Sequence, residues 1–146
     1  MKIPKAFVGF AGQFFVAGEL SRREYVTTMT IGNTPNFDIL ISTSDGGKQK
    51  TIQVKTIQEN TKKWPLQEKN EHISDENIFY VFVFLNGLAQ PSYHIVPSSV
   101  VAEQISTSHR EWLAGTSKSG SMRKDNKMRN FLDKNDTYLD NWDALK

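Results

Sequence analysis

Three residues of a predicted β-hairpin, Asp38, Gln53 and Lys55, are of types that can act on phosphate esters. A carboxylate oxygen, an amide oxygen and the Val54 carbonyl are hard ligands that suit Mg²⁺ or Mn²⁺. A lysine beside such an ion could position or deprotonate a water molecule and stabilise negative charge on a phosphate. Glu19, on the preceding predicted helix, could add a second carboxylate. The residue types therefore predict a divalent-metal site.

The hairpin itself is predicted from its turn and from the alternation of its side chains. Residues 37–43 (FDILIST) and 50–57 (KTIQVKTI) are rich in β-branched residues and flank the turn sequence Asp45-Gly46-Gly47. Side chains alternate between the two faces of a strand, so Gln53 and Lys55 project on the same side. Asp38 begins the first strand and could lie beside them.

The same residues also have a structural interpretation. An aspartate after the turn sequence at 32–36 (GNTPN) often stabilises the turn. Exposed glutamine and lysine are common on an edge strand, where lysine prevents aggregation. Other chemistry has less support: His72, His94 and His109 lack the spacing of a zinc site, and the chain has no cysteine.

The rest of the chain predicts one α/β domain with a mixed sheet flanked by helices. We expect a single domain over residues 1–146, with a core at about 1–105 and a C-terminal helical or loop extension at about 106–146. Its apolar tail should pack back on the core. The predicted elements are a helix at 11–24, strands at 25–31, 37–43 and 50–57, a buried strand at 78–85, a short strand at 93–96 and a helix from about 98.

Clustered basic residues favour a nucleic-acid partner more than the net charge of +2 does. The candidate contacts are Arg22, Arg23, Lys62, Lys63 and Trp64, although such a tryptophan more often covers the end of a sheet. The apolar N-terminal segment is interrupted by glycine and glutamine, unlike a signal peptide. No run is long enough to span a membrane, and we expect a cytoplasmic protein.

Three short runs resemble the PD-(D/E)xK nuclease superfamily: 17–19 (AGE), 32–39 (GNTPNFDI) and 52–56 (IQVKT). The likeness is greatest to Holliday-junction-resolvase-like and restriction-endonuclease-like members. It implies an αβββαβ core of the restriction-endonuclease type, with Glu19, Asp38, Gln53 and Lys55 in the four catalytic positions. Gln53 departs from the pattern, since most of the superfamily has Glu or Asp there, although some restriction-type members resemble this chain in using Gln.

The resemblance implies a Mg²⁺- or Mn²⁺-dependent endonuclease that cleaves DNA, with RNA left open. A homodimer is the simplest arrangement for cutting both strands of a duplex, but the sequence shows no interface. The alternative is a degenerate nuclease fold that binds nucleic acid or a protein without catalysis, because Gln53 removes one negative charge from the metal site. A toxin or immunity component of a bacterial defence system is a third hypothesis.

Overall fold

A five-stranded mixed sheet forms the centre of the computed structural model, which describes residues 2–31 and 37–146. Helix α1 covers one face of the sheet, and helix α2 with a two-stranded sheet covers the other. The helices are α1 (Lys5–Ser21) and α2 (Ser98–Ala114), with 3-10 helices at Glu68–His72 and Trp142–Leu145. The strands are β1 (Val26–Met29), β2 (Ile39–Ser42), β3 (Gln49–Ile57), β4 (Lys63–Gln67), β5 (Ile78–Phe84), β6 (Ser92–Pro97) and β7 (Met128–Leu132).

The strand order of the large sheet is β1-β2-β3-β5-β6, and the small sheet pairs β4 with β7. Strands β1, β2 and β3 form an antiparallel meander, as the turn sequences predict. Strand β5 then pairs with β3 in parallel, and β6 pairs with β5 antiparallel. The predicted α/β class with a mixed sheet is therefore confirmed.

The connection between β3 and β5 differs from the αβββαβ order that the resemblance implies. It contains β4 and the 3-10 helix Glu68–His72, and the long helix α2 follows β6 instead. The C-terminal segment, expected to be helical or loop, contributes strand β7. Helix α1 also begins at Lys5, six residues before the predicted start at 11. The turn at 32–36 lies outside the described residues.

Each face of the sheet has its own hydrophobic core. On the α1 side, Val16 and Leu20 pack with Ile39, Ile41 and Ile52. On the α2 side, Trp64, Tyr80, Phe82, Val101 and Phe131 form the second core. Strand β5 supplies residues to both cores and is buried from Phe79 to Val83, which explains its uninterrupted apolar sequence.

The tail packs on the core, as predicted. Trp142 and Leu145 join the α1-side cluster. Segment 138–140 lies along the outer edge of β6, where Ile95 N–H donates to the Tyr138 carbonyl at 3.0 Å. Neither helix in the described part of the chain has the length and hydrophobicity needed to cross a bilayer.

Helix α1 lies unusually close to β3 because Gly12 has no side chain. A Cβ added at Gly12 would lie 1.8 Å from Thr56 Oγ1 and 2.8 Å from Thr56 Cβ. A Cβ added at Gly9, three residues earlier, would meet nothing within 4 Å. The contact at Gly12 therefore fixes the height of α1 above the sheet and the position of the next residue, Gln13.

Candidate active site

Asp38 is held through its backbone on both sides. Its N–H donates to the Ile52 carbonyl on β3 at 3.0 Å. Its carbonyl accepts hydrogen bonds from Thr30 N–H at 2.9 Å, Thr30 Oγ1 at 3.1 Å and Gln13 Nε2 at 3.2 Å. This backbone has little freedom, which is what a residue that must hold a ligand in fixed geometry requires.

A β-bulge at the start of β2 directs the Asp38 side chain. Ile39 is the register partner of Ile52, yet the N–H of Asp38 also donates to the Ile52 carbonyl. Two residues of one strand thus face one residue of the other, which is the arrangement of a bulge and is common beside active sites. Asp38 Oδ2 then accepts the Val54 N–H at 2.7 Å, in place of a backbone carbonyl.

The Val54 carbonyl lies on the same side of β3 as the Asp38 carboxylate that accepts the Val54 N–H. The N–H and C=O of a residue in an extended strand point to the same side, so the Val54 carbonyl also faces the Asp38 side of β3. Gln53, the adjacent residue, is buried. The donors are hard oxygens suited to Mg²⁺ or Mn²⁺. Within residues 2–31 and 37–146, however, no three His, Cys, Asp or Glu side chains gather around one ion position. A metal-ligand set at this position would therefore consist of one carboxylate, from Asp38, and neutral oxygens.

Lys55 lies in the electrostatic field of Asp38 and of a lysine that the sequence did not single out. Burial lowers the pKa of Lys55; the Asp38 carboxylate opposes this effect, and the charge of Lys69 reinforces it. Lys69 comes from the 3-10 helix Glu68–His72, which Asn70 ties to β5 by a 3.0 Å bond from Nδ2 to the Tyr80 hydroxyl. The structure therefore brings Asp38, Val54, Lys55 and Lys69 into one region.

Glu19 forms ion pairs with two arginines. Its carboxylate pairs with Arg23 and, at 3.3 Å, with Arg22 Nε, and Arg23 lies 4.2 Å from the centre of the Trp142 ring. Burial, and secondarily the Glu19 charge, raise the pKa of Tyr93 to about 12. Tyr93 is on β6, three strands away from β2, or about 14 Å across a sheet. The described ion pairs of Glu19 are thus with Arg22 and Arg23, and its charge acts on Tyr93.

Gln13 is the α1 residue that reaches Asp38, and sequence reasoning missed it. Its Nε2 donates to the carbonyls of Thr30 and Asp38 at 2.9 and 3.2 Å, linking the end of β1 to the start of β2. The signal was present in the sequence, since Gln13 is a polar residue in the otherwise apolar run from Ala6 to Ala17.

A basic groove adjoins Lys55. The groove has a volume of about 600 Å³ and is lined by Lys2, Lys5, Lys55 and Lys63, with Glu59 as its acidic member. Glu59 pairs with Lys2 at 3.5 Å, and both side chains are exposed. The surplus of positive charge gives this groove the character of an anion-binding surface.

The predicted nucleic-acid contacts divide into separate groups in the structure. Lys63 lines the basic groove, whereas Lys62 pairs with Asp136 at 2.5 Å. Arg22 and Arg23 are with Glu19. Trp64 contributes to the floor of the groove, but its ring is fully buried and its Nε1 donates to the Val83 carbonyl at 3.0 Å. In this conformation Trp64 covers the sheet and offers no surface to a base.

Comparison with solved structures finds a nuclease of similar architecture. No protein-family model and no curated protein matches the chain. Among solved structures, the chain is similar to the bacterial homing endonuclease I-Ssp6803I, with a TM-score of 0.58 and 12% sequence identity. The similarity covers 99% of this chain and 92% of that chain. At this level of identity, the comparison establishes the fold: the two proteins share a mixed α/β architecture.

Proposed function

We propose that this protein is a divalent-metal-dependent nuclease that hydrolyses phosphodiester bonds of DNA. The observation that carries the proposal is the Asp38 carboxylate, fixed on the Val54 N–H by a β-bulge and electrostatically coupled to the partly buried Lys55. The fold shared with a homing endonuclease supports the same reaction class. The resemblance that assigns Glu19, Asp38, Gln53 and Lys55 to catalytic positions supports it too.

Asp38, Gln53 and the Val54 carbonyl would hold Mg²⁺ or Mn²⁺. Such an ion, when bound, acts as a Lewis acid that neutralises charge on the scissile phosphate and activates a water molecule. The chain contributes a carboxylate whose backbone and one oxygen are already fixed, so little reorganisation is needed when the ligands assemble. Gln53 contributes a neutral oxygen, and the site consequently holds its ion less tightly than one with two carboxylates.

Lys55 would orient the attacking water and stabilise the charge that develops on the phosphate. Burial makes its ammonium group release a proton more readily than that of an exposed lysine, whereas Asp38 favours the charged form. Both protonation states are useful, because the amine can accept a proton and the ammonium can contact a phosphate oxygen.

The basic groove beside Lys55 would receive the DNA backbone. Lys2, Lys5 and Lys63 line it with Lys55, so phosphates on one side of the scissile bond could pass along it. Removing one lysine that neutralises a phosphate should make the slope of log K against log salt shallower by about 0.9. Lys63→Ala tests this slope, with Lys118→Ala, in the Gly/Ser/Lys-rich segment after α2, as its matched control.

The proposal is tested by plasmid cleavage. Wild-type protein should convert supercoiled plasmid to nicked and linear forms with Mg²⁺ or Mn²⁺, and EDTA should stop the reaction. Asp38→Ala and Lys55→Met should each lower the rate by about 100-fold or more. Asp143→Ala, which removes an exposed carboxylate near the C-terminus, should leave the rate unchanged. Nicking that persists in Asp38→Ala would indicate a contaminant and overturn the assignment.

A second candidate function is binding of nucleic acid without cleavage. It is favoured by the Glu19 carboxylate being paired with Arg22 and Arg23, which leaves Asp38 as the acidic member of the described site. This candidate predicts salt-sensitive DNA binding and no cleavage with either metal. A calorimetric titration in which Mg²⁺ binds tightly and Asp38→Asn abolishes the heat would count against it.

A further inference from the structure

Helix α1 carries an aromatic stripe on the face that points away from the sheet. Phe7, Phe10 and Phe14 recur at spacings of three and four residues and so share one face of the helix, and Phe15 lies beside them. Between 45% and 65% of each side chain is exposed. In the described part of the chain, the exposed phenylalanines are all in α1, while Phe79, Phe82 and Phe131 are buried.

The stripe is a large apolar area for a chain of this size. A phenylalanine presents roughly 200 Å², so the four exposed fractions amount to about 450 Å² of aromatic surface. This is more than half of the ~800 Å² that one partner contributes to a standard protein interface. Val26, on the edge strand β1, is exposed as well.

The charge pattern of α1 favours a second copy of the chain over a charged partner or a lipid surface. The helix contains two charged residues, Lys5 at its start and Glu19, whose carboxylate is paired with arginines. A membrane-surface helix exposes lysine and arginine along its polar face, whereas the face of α1 opposite the stripe packs on the sheet. An uncharged aromatic stripe is complementary to itself, as the patch at a two-fold axis must be.

We propose that two copies of this protein associate through the aromatic stripe of α1, related by a two-fold axis. The inference goes beyond the proposed nuclease function and does not depend on it, because association needs neither metal nor DNA. It gives a two-chain assembly with two Asp38 sites, which is the simplest arrangement for cutting both strands of a duplex.

The test is sedimentation of wild-type protein and of Phe10→Gln/Phe14→Gln over a wide concentration range. Glutamine keeps good helix propensity and adds no charge. Wild type should approach twice the 16.6 kDa mass of the chain, and the double variant should associate at least about 100-fold more weakly. Leu88→Gln, at a fully exposed apolar residue in the β5–β6 turn, is the matched control and should sediment as wild type.

Several outcomes would overturn the inference. Wild type that stays monomeric at all concentrations would do so, and if it also co-sedimented with phosphatidylcholine–phosphatidylglycerol vesicles, the stripe would be a lipid-binding surface. A double variant that associates as strongly as wild type would place the interface elsewhere. Circular dichroism confirms folding of the variant, and Phe14→Gln alone provides a milder version if the double variant unfolds. Asp38→Asn should associate normally, which separates this inference from the proposed catalysis.

Discussion

Replacing Gly12 with alanine should lift helix α1 from the sheet and disturb Asp38 with it. The new Cβ would lie 1.8 Å from Thr56 Oγ1, against an ordinary contact of about 3.4 Å, so roughly 1.6 Å must be gained by movement. The Thr56 Cβ, at 2.8 Å, is also too close, and rotation of the threonine side chain does not move it. Overpacking of this kind costs about 1–3 kcal/mol.

Gly9→Ala is the matched control, because the same methyl group at that position meets open space. There the better helix propensity of alanine should raise the free energy of unfolding by up to ~1 kcal/mol. The two variants should therefore differ by about 2–4 kcal/mol in urea denaturation followed by circular dichroism.

The displacement should also reach the candidate active site. Gln13 follows Gly12 and donates to the Asp38 carbonyl at 3.2 Å, a bond that a shift of more than 1 Å would break. A misplacement of about 1 Å can lower a rate by roughly 100-fold, so plasmid cleavage by folded Gly12→Ala should fall by that order. Equal unfolding free energies for the two alanine variants would refute the close contact of α1 with β3. A destabilised Gly12→Ala that cleaves at the wild-type rate would refute the positioning of Asp38 by α1.

Three further predictions concern single side chains. Gln53→Glu should lower the Mg²⁺ concentration for half-maximal cleavage by at least about tenfold. The reason is that a charge pair at ~4 Å gains up to ~4 kcal/mol, partly offset by the cost of burying the carboxylate. An unchanged Mg²⁺ concentration would argue against Gln53 as a ligand. Lys55→Met should raise the melting temperature at neutral pH while lowering the cleavage rate by about 100-fold or more. Burial lowers the pKa of Lys55, so its charge destabilises the folded protein below that pKa, and this cost disappears as pH rises toward 10.5. In calorimetry, the gain in melting temperature of the variant should therefore shrink over the same pH range. Equal melting temperatures of variant and wild type at neutral pH would contradict the prediction. Tyr93→Phe should leave the free energy of unfolding unchanged or raise it by up to ~1 kcal/mol, because the buried Tyr93 hydroxyl has no hydrogen-bond partner among the described residues. Tyr80→Phe, whose hydroxyl is hydrogen-bonded, should lose about 1–3 kcal/mol in urea denaturation, and the reverse order would refute this reasoning.

Features that depend on local sequence could be predicted. The turn at Asp45–Gly47 and the flanking β-branched residues were enough to pair β2 with β3. The apolar run of β5 indicated a strand buried on both faces. These patterns follow from the alternation of a strand and from turn chemistry, and both operate within about ten residues.

Features that depend on contacts between residues far apart in the sequence could not be predicted. Strand β7 pairs with β4, more than sixty residues earlier, and its sequence alone gives no indication of that partner. The bulge that directs Asp38 depends on how β2 meets β3 and is invisible in either strand alone. Lys69, whose charge acts on Lys55, lies in a connection whose polar sequence has no regular period.

Glu19 was predicted for the site from the sequence, whereas Gln13 was not. Six residues separate Glu19 from Gln13, which corresponds to about 240° around a helix and 9 Å along it. Both residues precede the hairpin in sequence, but Gln13 is the one that contacts Asp38.

The most direct test of the proposed metal site is a crystal soaked in Mn²⁺ and measured for anomalous scattering. We expect a peak within about 2.0–2.3 Å of an Asp38 carboxylate oxygen, the Val54 carbonyl and the Gln53 side-chain oxygen. The peak should be absent from Asp38→Asn crystals treated in the same way. Mn²⁺ bound at other carboxylates, with no density between Asp38 and Gln53, would contradict the proposed site and leave the fold as a binding module.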